Sequence, residues 1–569
     1  MSPMNHSKRW MIAPPLPPSA QAALAAFPPV LQQLLYNRGY ASASAARAYL
    51  QAEPPFSTDP YQMLGMEHAV ARIRRAINDR EAIAIYGDYD VDGVTATALL
   101  VQTLHALHAN VRPYIPNRFE EGYGLNKEAL ATLRAEGISL LITVDCGIRS
   151  QEEAHYARQI GLDLIITDHH TPAETIPPAV AVLNPKQPED PYPDKDLAGV
   201  GIAYKLAQAL LDDQAGITAL RAEDFLDLVA LGTVADLAPL TGENRALVRQ
   251  GLREIAQTRR QGLFSLAAVA EIPLARVTAT TIGYILGPRL NAAGRLDTAL
   301  AAYELLTTSH APRAAELAQQ LNLQNRQRQE LTRKIQEEAE ALALAKDPQP
   351  LLLFAVHPEF NPGVVGLAAA RLVEKFYRPA IVGQMAAETT RCSCRSIPEF
   401  HITQALDRCQ DLLLRHGGHA SAAGFTVRNE NLAALQERLQ AIVNEQLSGQ
   451  DLKQTLYADA ELPLAALKPE LLQQLESLQP TGYGNPEAVF VTRNVRVTRA
   501  RTVGSEGKHL KLTITDGWLT FDAIGFQMGP LADQLPGQID ILYTFEVNEY
   551  NGRSALQLNL RDLRPAGSG

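Results

Sequence analysis

Residues 82–93 read AIAIYGDYDVDG. A short apolar run, Ala82 to Tyr86, leads into a loop carrying Asp88, Asp90 and Asp92 at alternate positions, and a helical pattern follows from Val94 to His108. An unbroken apolar strand that feeds a helix implies a parallel sheet covered on both faces. In an open sheet of this kind ligands bind off the carboxyl ends of the strands. Three carboxylates so close together repel one another unless a cation sits among them. An EF-hand loop also opens D-x-D-x-D-G, but here its twelfth position is Leu99, where a bidentate glutamate is required, and the flanks are strand and helix. Capping of the following helix explains one aspartate, not three.

Two more strands end in the same way. SLLITV, residues 139–144, runs into Asp145, and LDLIIT, residues 162–167, runs into Asp168, His169 and His170. Another strand is expected at Val111 to Ile115, and a helical stretch, FLDLVALGTVA, delivers Asp236. Carboxylates and imidazoles together make a mixed oxygen and nitrogen donor set, which suits manganese better than an all-water magnesium site. Two such ions about 3.5–4 Å apart clamp the attacking and leaving oxygens of a phosphoryl transfer.

Outward from this core the organisation changes. The first 65 residues hold proline pairs at 14–15, 17–18, 28–29 and 54–55 and predict short helices packed on something larger. Residues 66–309 carry the α/β pattern. His310 to Lys346 has no glycine, keeps Leu331, Ile335, Ala339 and Leu342 at helical spacing, and predicts one long connecting helix (residues 310–347) stopped by Asp347-Pro348. Residues 348–449 predict a smaller α/β unit opening on LLLFAV. Residues 450–569 turn strand-like from Ala488, with turn signals at Asp516-Gly517 and Asn551-Gly552, and predict a small barrel of the oligonucleotide-binding (OB) kind.

The 569 residues carry 52 Lys and Arg against 62 Asp and Glu, a net charge of −10, so a uniformly basic coat is excluded but a local basic stripe is not. One such stripe exists. Between Val491 and Thr515 the basic residues Arg493, Arg496, Arg499, Arg501, Lys508 and Lys511 face only Glu506. Trp518, Phe521, Phe526, Tyr543, Phe545 and Tyr550 lie in the same region, several of them expected in the core. Cationic groove plus stacking is how single strands are held without sequence preference. The four cysteines are too few for a disulfide framework, and Cys392 and Cys394 lack a second ligand pair for zinc. The start is broken by prolines and no run of about 18 apolar residues occurs, so the expectation is a cytoplasmic protein with no membrane span.

Asp-His-His at 168–170, with GDYDVDG before it, VDCG at 144–147 and GTVADLAPL at 232–240, resembles the DHH phosphoesterase superfamily. GPRLNAAGR at 287–295, HGGHASAAG at 416–424 and PTGYGNP at 480–486 are similar to segments of its single-strand-specific 5′→3′ exonuclease branch. The resemblance covers nearly the whole chain. It implies a DHH domain, a DHH-associated domain and an OB barrel, with two Mn2+ or Mg2+ ions held by Asp90, Asp92, Asp145, His169, His170 and Asp236. Asp88 is a ligand or a support for one. Superfamily members such as pyrophosphatases place a histidine where this chain has Tyr86, which speaks against that activity.

Asp90, Asp145 and His169 are then the catalytic set, and His169 or His170 is considered as proton donor to the leaving 3′-oxygen. For the terminal 5′-phosphate and backbone the candidates are Arg118, Arg289, Asn291, Arg295, Ser393, Arg395, Gly418 and His419. The glycines of 416–424 read either as a close approach to a phosphodiester or as a tight strand–helix turn, and NPGVVG at 361–366 opens a helix whose free N–H groups suit another phosphate. The implied function is release of 5′-mononucleotides from single-stranded DNA in repair and recombination, by a monomer working with a helicase and a single-stranded-DNA-binding protein. The alternatives are a DHH phosphodiesterase on short RNA or cyclic dinucleotides, against which the barrel argues, and a non-catalytic replication scaffold, against which the complete ligand set argues.

Overall fold

A computed structural model describes residues 8–52, 58–117, 121–122, 124–212, 217–550 and 553–567. The chain divides into two compact units, one formed by Met1–Leu321 with Thr455–Gly569 and the other by Asn322–Gln454.

The first unit is built on a five-stranded all-parallel sheet. Its order is Asn110–Tyr114, Ala82–Gly87, Ile138–Val144, Asp163–Thr167 and Ala181–Leu183. The last strand has no clear sequence signal because it is only three residues long. The strand Ala82–Gly87, second in this order, pairs with the next strand in sequence on one side and with the one after it on the other. The chain therefore reverses direction at this strand, which opens a crevice at its carboxyl end. Side chains alternate between two cores. Ile83, Ile85, Leu140 and Ile142 face the helices Val91–Ala106, Gly199–Leu211 and Leu226–Ala235, while Ala84, Tyr86, Leu141 and Ile166 face Lys127–Ala135 and Gln151–Gln159. The helix after the first strand begins at Val91, three residues earlier than its apolar pattern suggests, because Asp90 caps it.

The barrel belongs to the same unit. Strands Phe490–Val503, His509–Thr515, Thr520–Gly525, Arg553–Pro565 and Gln538–Tyr550 follow one another, and the first pairs with the last to close it. Leu510, Leu512, Ile514, Ile541, Tyr543 and Phe545 fill its core, which is extended by Leu24, Leu31, Leu34 and Leu35 from the N-terminal helices. A strand at Arg9–Ile12 pairs in parallel with Thr455–Ala458. The loop 480–486 joins these parts around Arg245, whose guanidinium donates to the carbonyls of Tyr49, Leu478, Pro480 and Ser477 and lies 4.1 Å from the Tyr49 ring centroid. This motif is a structural clamp.

Ala311–Leu344 is one helix of 34 residues, about 50 Å long. Its early residues Ala314, Leu317, Ala318 and Leu321 belong to the core of the first unit, and Ile335 and Ala339 to that of the second. The second unit holds a mixed sheet ordered Leu413–Gly418, Ala422–Arg428, Thr389–Arg395, Ala380–Met385 and Leu353–His357, of which only the last pair is parallel.

Candidate active site

The crevice at the reversal of the sheet is where the acidic residues meet. Asp90 Oδ1 accepts from the N–H groups of Asp92 (2.9 Å) and Gly93 (3.1 Å). Asp92 lies in the first helical turn and is buried. Its Oδ2 accepts from Gly199 N at 2.7 Å and its Oδ1 from Val200 N at 2.8 Å, the opening amides of the helix Gly199–Leu211. A helix N-terminus is a natural seat for a carboxylate. Space here is tight. A Cβ on Gly93 would lie 2.6 Å from the Asp88 backbone, one on Gly199 2.9 Å from Asp92 Oδ2, and one on Gly232 2.9 Å from Asp92 Oδ1. Gly199 and Gly232 were not legible as site residues, because each acts through a contact distant in sequence.

Asp145 ends its strand with φ of +62°, a left-handed conformation that costs an aspartate energy and that the fold must hold. His169 Nε2 lies 3.0 Å from Asp145 Oδ1, 3.6 Å from Asp236 Oδ2 and 3.9 Å from Asp92 Oδ2. Asp145 Oδ1 and His169 Nε2 are both buried and neither makes a hydrogen bond among the described residues. Two orphaned polar atoms that face each other in this way fit a shared cation. Three sets have ligand atoms mutually within 4.8 Å: Asp145 with His169 and His170, Asp92 with His169 and Asp236, and Asp88 with Asp90 and Asp145. Asp145 and His169 each belong to two sets, so the sets form one continuous cluster of oxygen and imidazole donors suited to Mn2+ or Mg2+.

Asp168, named in the motif but given no role by the sequence, turns out to position its neighbour. It is buried and accepts from Ile148 N (2.9 Å), His170 N (3.1 Å) and His170 Nδ1 (2.8 Å). These contacts fix the orientation of the His170 ring, whose Nδ1 also lies 3.8 Å from Asp145 Oδ1. Tyr86 is buried with its hydroxyl donating to the Gly124 carbonyl, in the core on the other face of the sheet.

The electrostatics point the same way. Burial, then the charge of Asp90, lifts Asp92 to about 7. Burial, then Asp92 and Asp90, lifts Asp236 to about 9, and the same causes carry Asp145 well above the carboxylate range. Burial, then His170, lowers His169 to about 3. Burial also works to lower His170, but the hydrogen bond and charge of Asp168 outweigh it and leave it raised. Without a cation this pocket cannot carry its own negative charge.

The other expected site residues fall in several places. Arg118 lies outside the described residues. Arg289 and Arg295 sit on the helix Gly287–Leu296, with Arg289 Nη1 donating to Ile285 O. This helix packs closely on the acidic loop. A Cβ on Gly294 would lie 2.6 Å from Tyr89 O, and Asn291 Oδ1 accepts from Val91 N, so the helix braces the acidic loop.

In the second unit Arg395 and Ser393 lie on the strand Thr389–Arg395. A Cβ on Gly366 would come within 3.2 Å of Arg395 Nη2 and 3.5 Å of the Ser393 side chain, so the NPGVVG segment adjoins them. Residues 416–424 form a hairpin, not a strand–helix turn. Gly418 has φ of +144° and its Cβ would meet Ala422 O at 2.4 Å, so it is required by the turn, while His419 stands exposed beside it. Cys392 and Cys394 are buried free thiols.

On the barrel, Arg496, Arg499 and Arg501 pair in register with Thr515, Thr513 and Lys511 and share their outward face. The other three basic residues are engaged: Arg493 with Glu461 and Asp540, Lys508 with Glu506, and Lys511 with Asp522. Tyr543 and Phe545 are core residues and Phe521 is half-buried. Trp518 (94% exposed) and Phe526 (55%) remain at the surface, and the side chain of Tyr550 lies outside the described residues.

Comparison with known proteins adds to this geometry. Family profiles match at residues 82–233 (DHH family, N-terminal domain), 349–445 (DHHA1 domain) and 458–562 (RecJ OB domain). The single-stranded-DNA-specific exonuclease RecJ of Escherichia coli (strain K12) is 36% identical over 564 residues, covering 95% of this chain and 96% of that protein. The crystal structure of RecJ from Thermus thermophilus in complex with Mn2+ is similar with a TM-score of 0.85 at 32% identity, over 98% of this chain and 80% of that one. The corresponding Mg2+ complex gives 0.79 at 30% identity, over 98% and 79%.

Proposed function

Because the chain belongs to the RecJ family of single-stranded-DNA-specific exonucleases, we propose that it hydrolyses single-stranded DNA from the 5′ end, with Mn2+ or Mg2+, and releases 5′-mononucleotides. The observation that carries this reading is the buried cluster itself, in which Asp145 Oδ1 and His169 Nε2 face each other unsatisfied. Two divalent cations bound there would neutralise the phosphodiester and lower the pKa of an attacking water.

In this reading the chain's own residues do the following. Asp90, Asp92, Asp145, Asp236, His169 and His170 hold the ions, with Asp88 beside them. Asp168 aims His170, and the amides of Gly199 and Val200 aim Asp92. His169 stays neutral at physiological pH, so it supplies a lone pair and is a poor proton donor to a leaving 3′-oxygen. Arg289 and Arg295 in the first unit, and Ser393, Arg395 and His419 in the second, are assigned to phosphate groups of the strand, since Arg presents a planar fork of donors. Arg496, Arg499 and Arg501 are assigned to the backbone further along.

The domain boundaries assigned to this activity are 66–309, 310–347, 348–449 and 450–569, with the N-terminal segment before them. The working state is proposed to be a cytoplasmic monomer acting in repair and recombination on strands opened by a helicase and coated by a single-stranded-DNA-binding protein. No helix among the described residues is long and apolar enough to cross a membrane. The complete cluster and the barrel favour this reading over a scaffold or a phosphodiesterase of short RNA or cyclic dinucleotides.

The test is digestion of one oligonucleotide labelled at its 5′ or its 3′ end, with Mn2+ and with chelator. Early release of the 5′ label as mononucleotide, abolished by chelator, is expected. Digestion from both ends alike, or digestion in chelator, would refute the assignment.

A further inference from the structure

Beside the acidic cluster two large apolar side chains stand in solvent for no reason of packing. Leu237 follows Asp236 directly, has φ of +60° and is 65% exposed. A leucine adopts that backbone only under tertiary constraint, and here the constraint turns an apolar group outward. The second is Tyr284, 81% exposed, within a π-helical turn over Ile282–Leu286. Such turns are rare and are frequently found at functional sites.

The two belong to one locality. The π-helical turn packs on the end of the helix Leu226–Ala235, the helix that delivers Asp236. A Cβ on Gly283 would lie 3.8 Å from Val234 Cγ1, and one on Gly287 3.4 Å from Ala235 Cβ. Small residues on either side of Tyr284 thus seat the turn against the last residues before Asp236. Directly after it runs the helix Gly287–Leu296 with Arg289 and Arg295.

We infer that Tyr284 and Leu237 form an apolar lip on which a nucleobase of the single strand stacks, next to the acidic cluster. The occupant follows from continuity. The two arginines, and cations held by the cluster, would offer places for phosphates, and every base has a π-face that an aromatic ring accepts whatever the sequence. A duplex keeps its bases stacked on each other, so the lip would also favour unpaired strands. The inference rests on the nuclease reading, and its test separates the two.

Wild-type protein held in chelator is mixed with single-stranded oligonucleotides carrying 2-aminopurine at successive positions from the 5′ end. One position should show stronger fluorescence quenching than its neighbours. Tyr284→Phe should keep that quenching and Tyr284→Ala should lose it. Leu237→Asn, which tolerates the left-handed backbone, should weaken it. With Mn2+, Tyr284→Ala should raise KM about tenfold while kcat changes less than about twofold. Equal quenching and equal KM in Tyr284→Ala and wild type would overturn the inference. A wild type that quenches at one position through Tyr284 but digests no single strand would support the lip and overturn the nuclease reading.

Discussion

Two charged regions of the first unit obey opposite rules. The acidic cluster gathers Asp88, Asp90, Asp92, Asp145 and Asp236 in a crevice where Asp88, Asp92 and Asp145 are buried. The basic face of the barrel spreads Arg496, Arg499 and Arg501 along an exposed strand, and the neighbouring Lys511 is already paired with Asp522. In the crevice little water screens the charges, so burial and mutual repulsion drive the carboxylates toward their protonated forms. On the barrel water and salt screen each arginine, and its contribution to any partner is small, additive and salt-dependent. Chemistry needs the first environment and unspecific grip needs the second.

The largest expected effect comes from removing one buried charge. Asp145→Asn keeps the size of the side chain and should lower hydrolysis by on the order of a thousandfold or more, since bound cations contribute several kcal/mol of transition-state stabilisation. Single-strand affinity measured in chelator should hardly change. A variant with near-wild-type turnover would remove Asp145 from the cluster's function and erase the contrast between the two regions.

A second effect is on stability. In the folded, metal-free protein Asp92 titrates near 7 and Asp236 near 9, against 3.8 for an unperturbed aspartate. Both values are raised, so the folded state binds more protons than the unfolded state. The metal-free protein is therefore expected to be most stable near pH 4 and to lose stability as pH climbs through about 9, apart from unrelated titrations. Mn2+ relieves the repulsion, so the gain in melting temperature on adding it should grow over the same range. Thermal melts with chelator and with Mn2+ across that window check the sign. A gain that shrinks as pH rises would mean that the cluster does not take up the ion.

The smallest effect belongs to the barrel. Deleting it is not a clean test, because its core includes Leu24, Leu31, Leu34 and Leu35 and because Leu478 and Pro480 supply carbonyls to the buried Arg245. Point variants avoid this. Arg496→Gln, Arg499→Gln and Arg501→Gln together should flatten the slope of log affinity against log salt by about 2, at roughly 0.7 per phosphate for single strands. Turnover on a saturating short oligonucleotide should stay unchanged. An unaltered slope would make this face ordinary solvated surface.

Much of the cluster was readable in one dimension because its residues fall at the ends of apolar runs, where a parallel sheet must expose them. That covers Asp88, Asp90, Asp92, Asp145, His169 and His170, and the helical run before Asp236. Four of the five strands of the parallel sheet, and the long helix, carried patterns strong enough to be placed within a few residues. The supporting residues carried no such mark. Gly199 and Val200 meet Asp92 from more than a hundred residues away, and Asn291 meets Val91 from two hundred. Gly294 fits against the carbonyl of Tyr89 from about two hundred residues away, a contact no local pattern announces. The hairpin at 413–428 was not legible as a hairpin because glycines obscure strand periodicity.

The difference has a physical basis. Local pattern decides which element a segment forms and which end of a strand carries a charge, since both follow from backbone geometry and from the alternation of apolar side chains. Composition and spacing were therefore enough to establish the α/β core, the donor types and their order along the chain. Desolvation, backbone strain and the pairing of charges depend on which segments meet in space. Only packing could bury Asp92 against a helix N-terminus, twist Asp145 and Leu237 into left-handed conformations, use three of the six basic residues between Arg493 and Lys511 in ion pairs and leave Tyr284 in solvent.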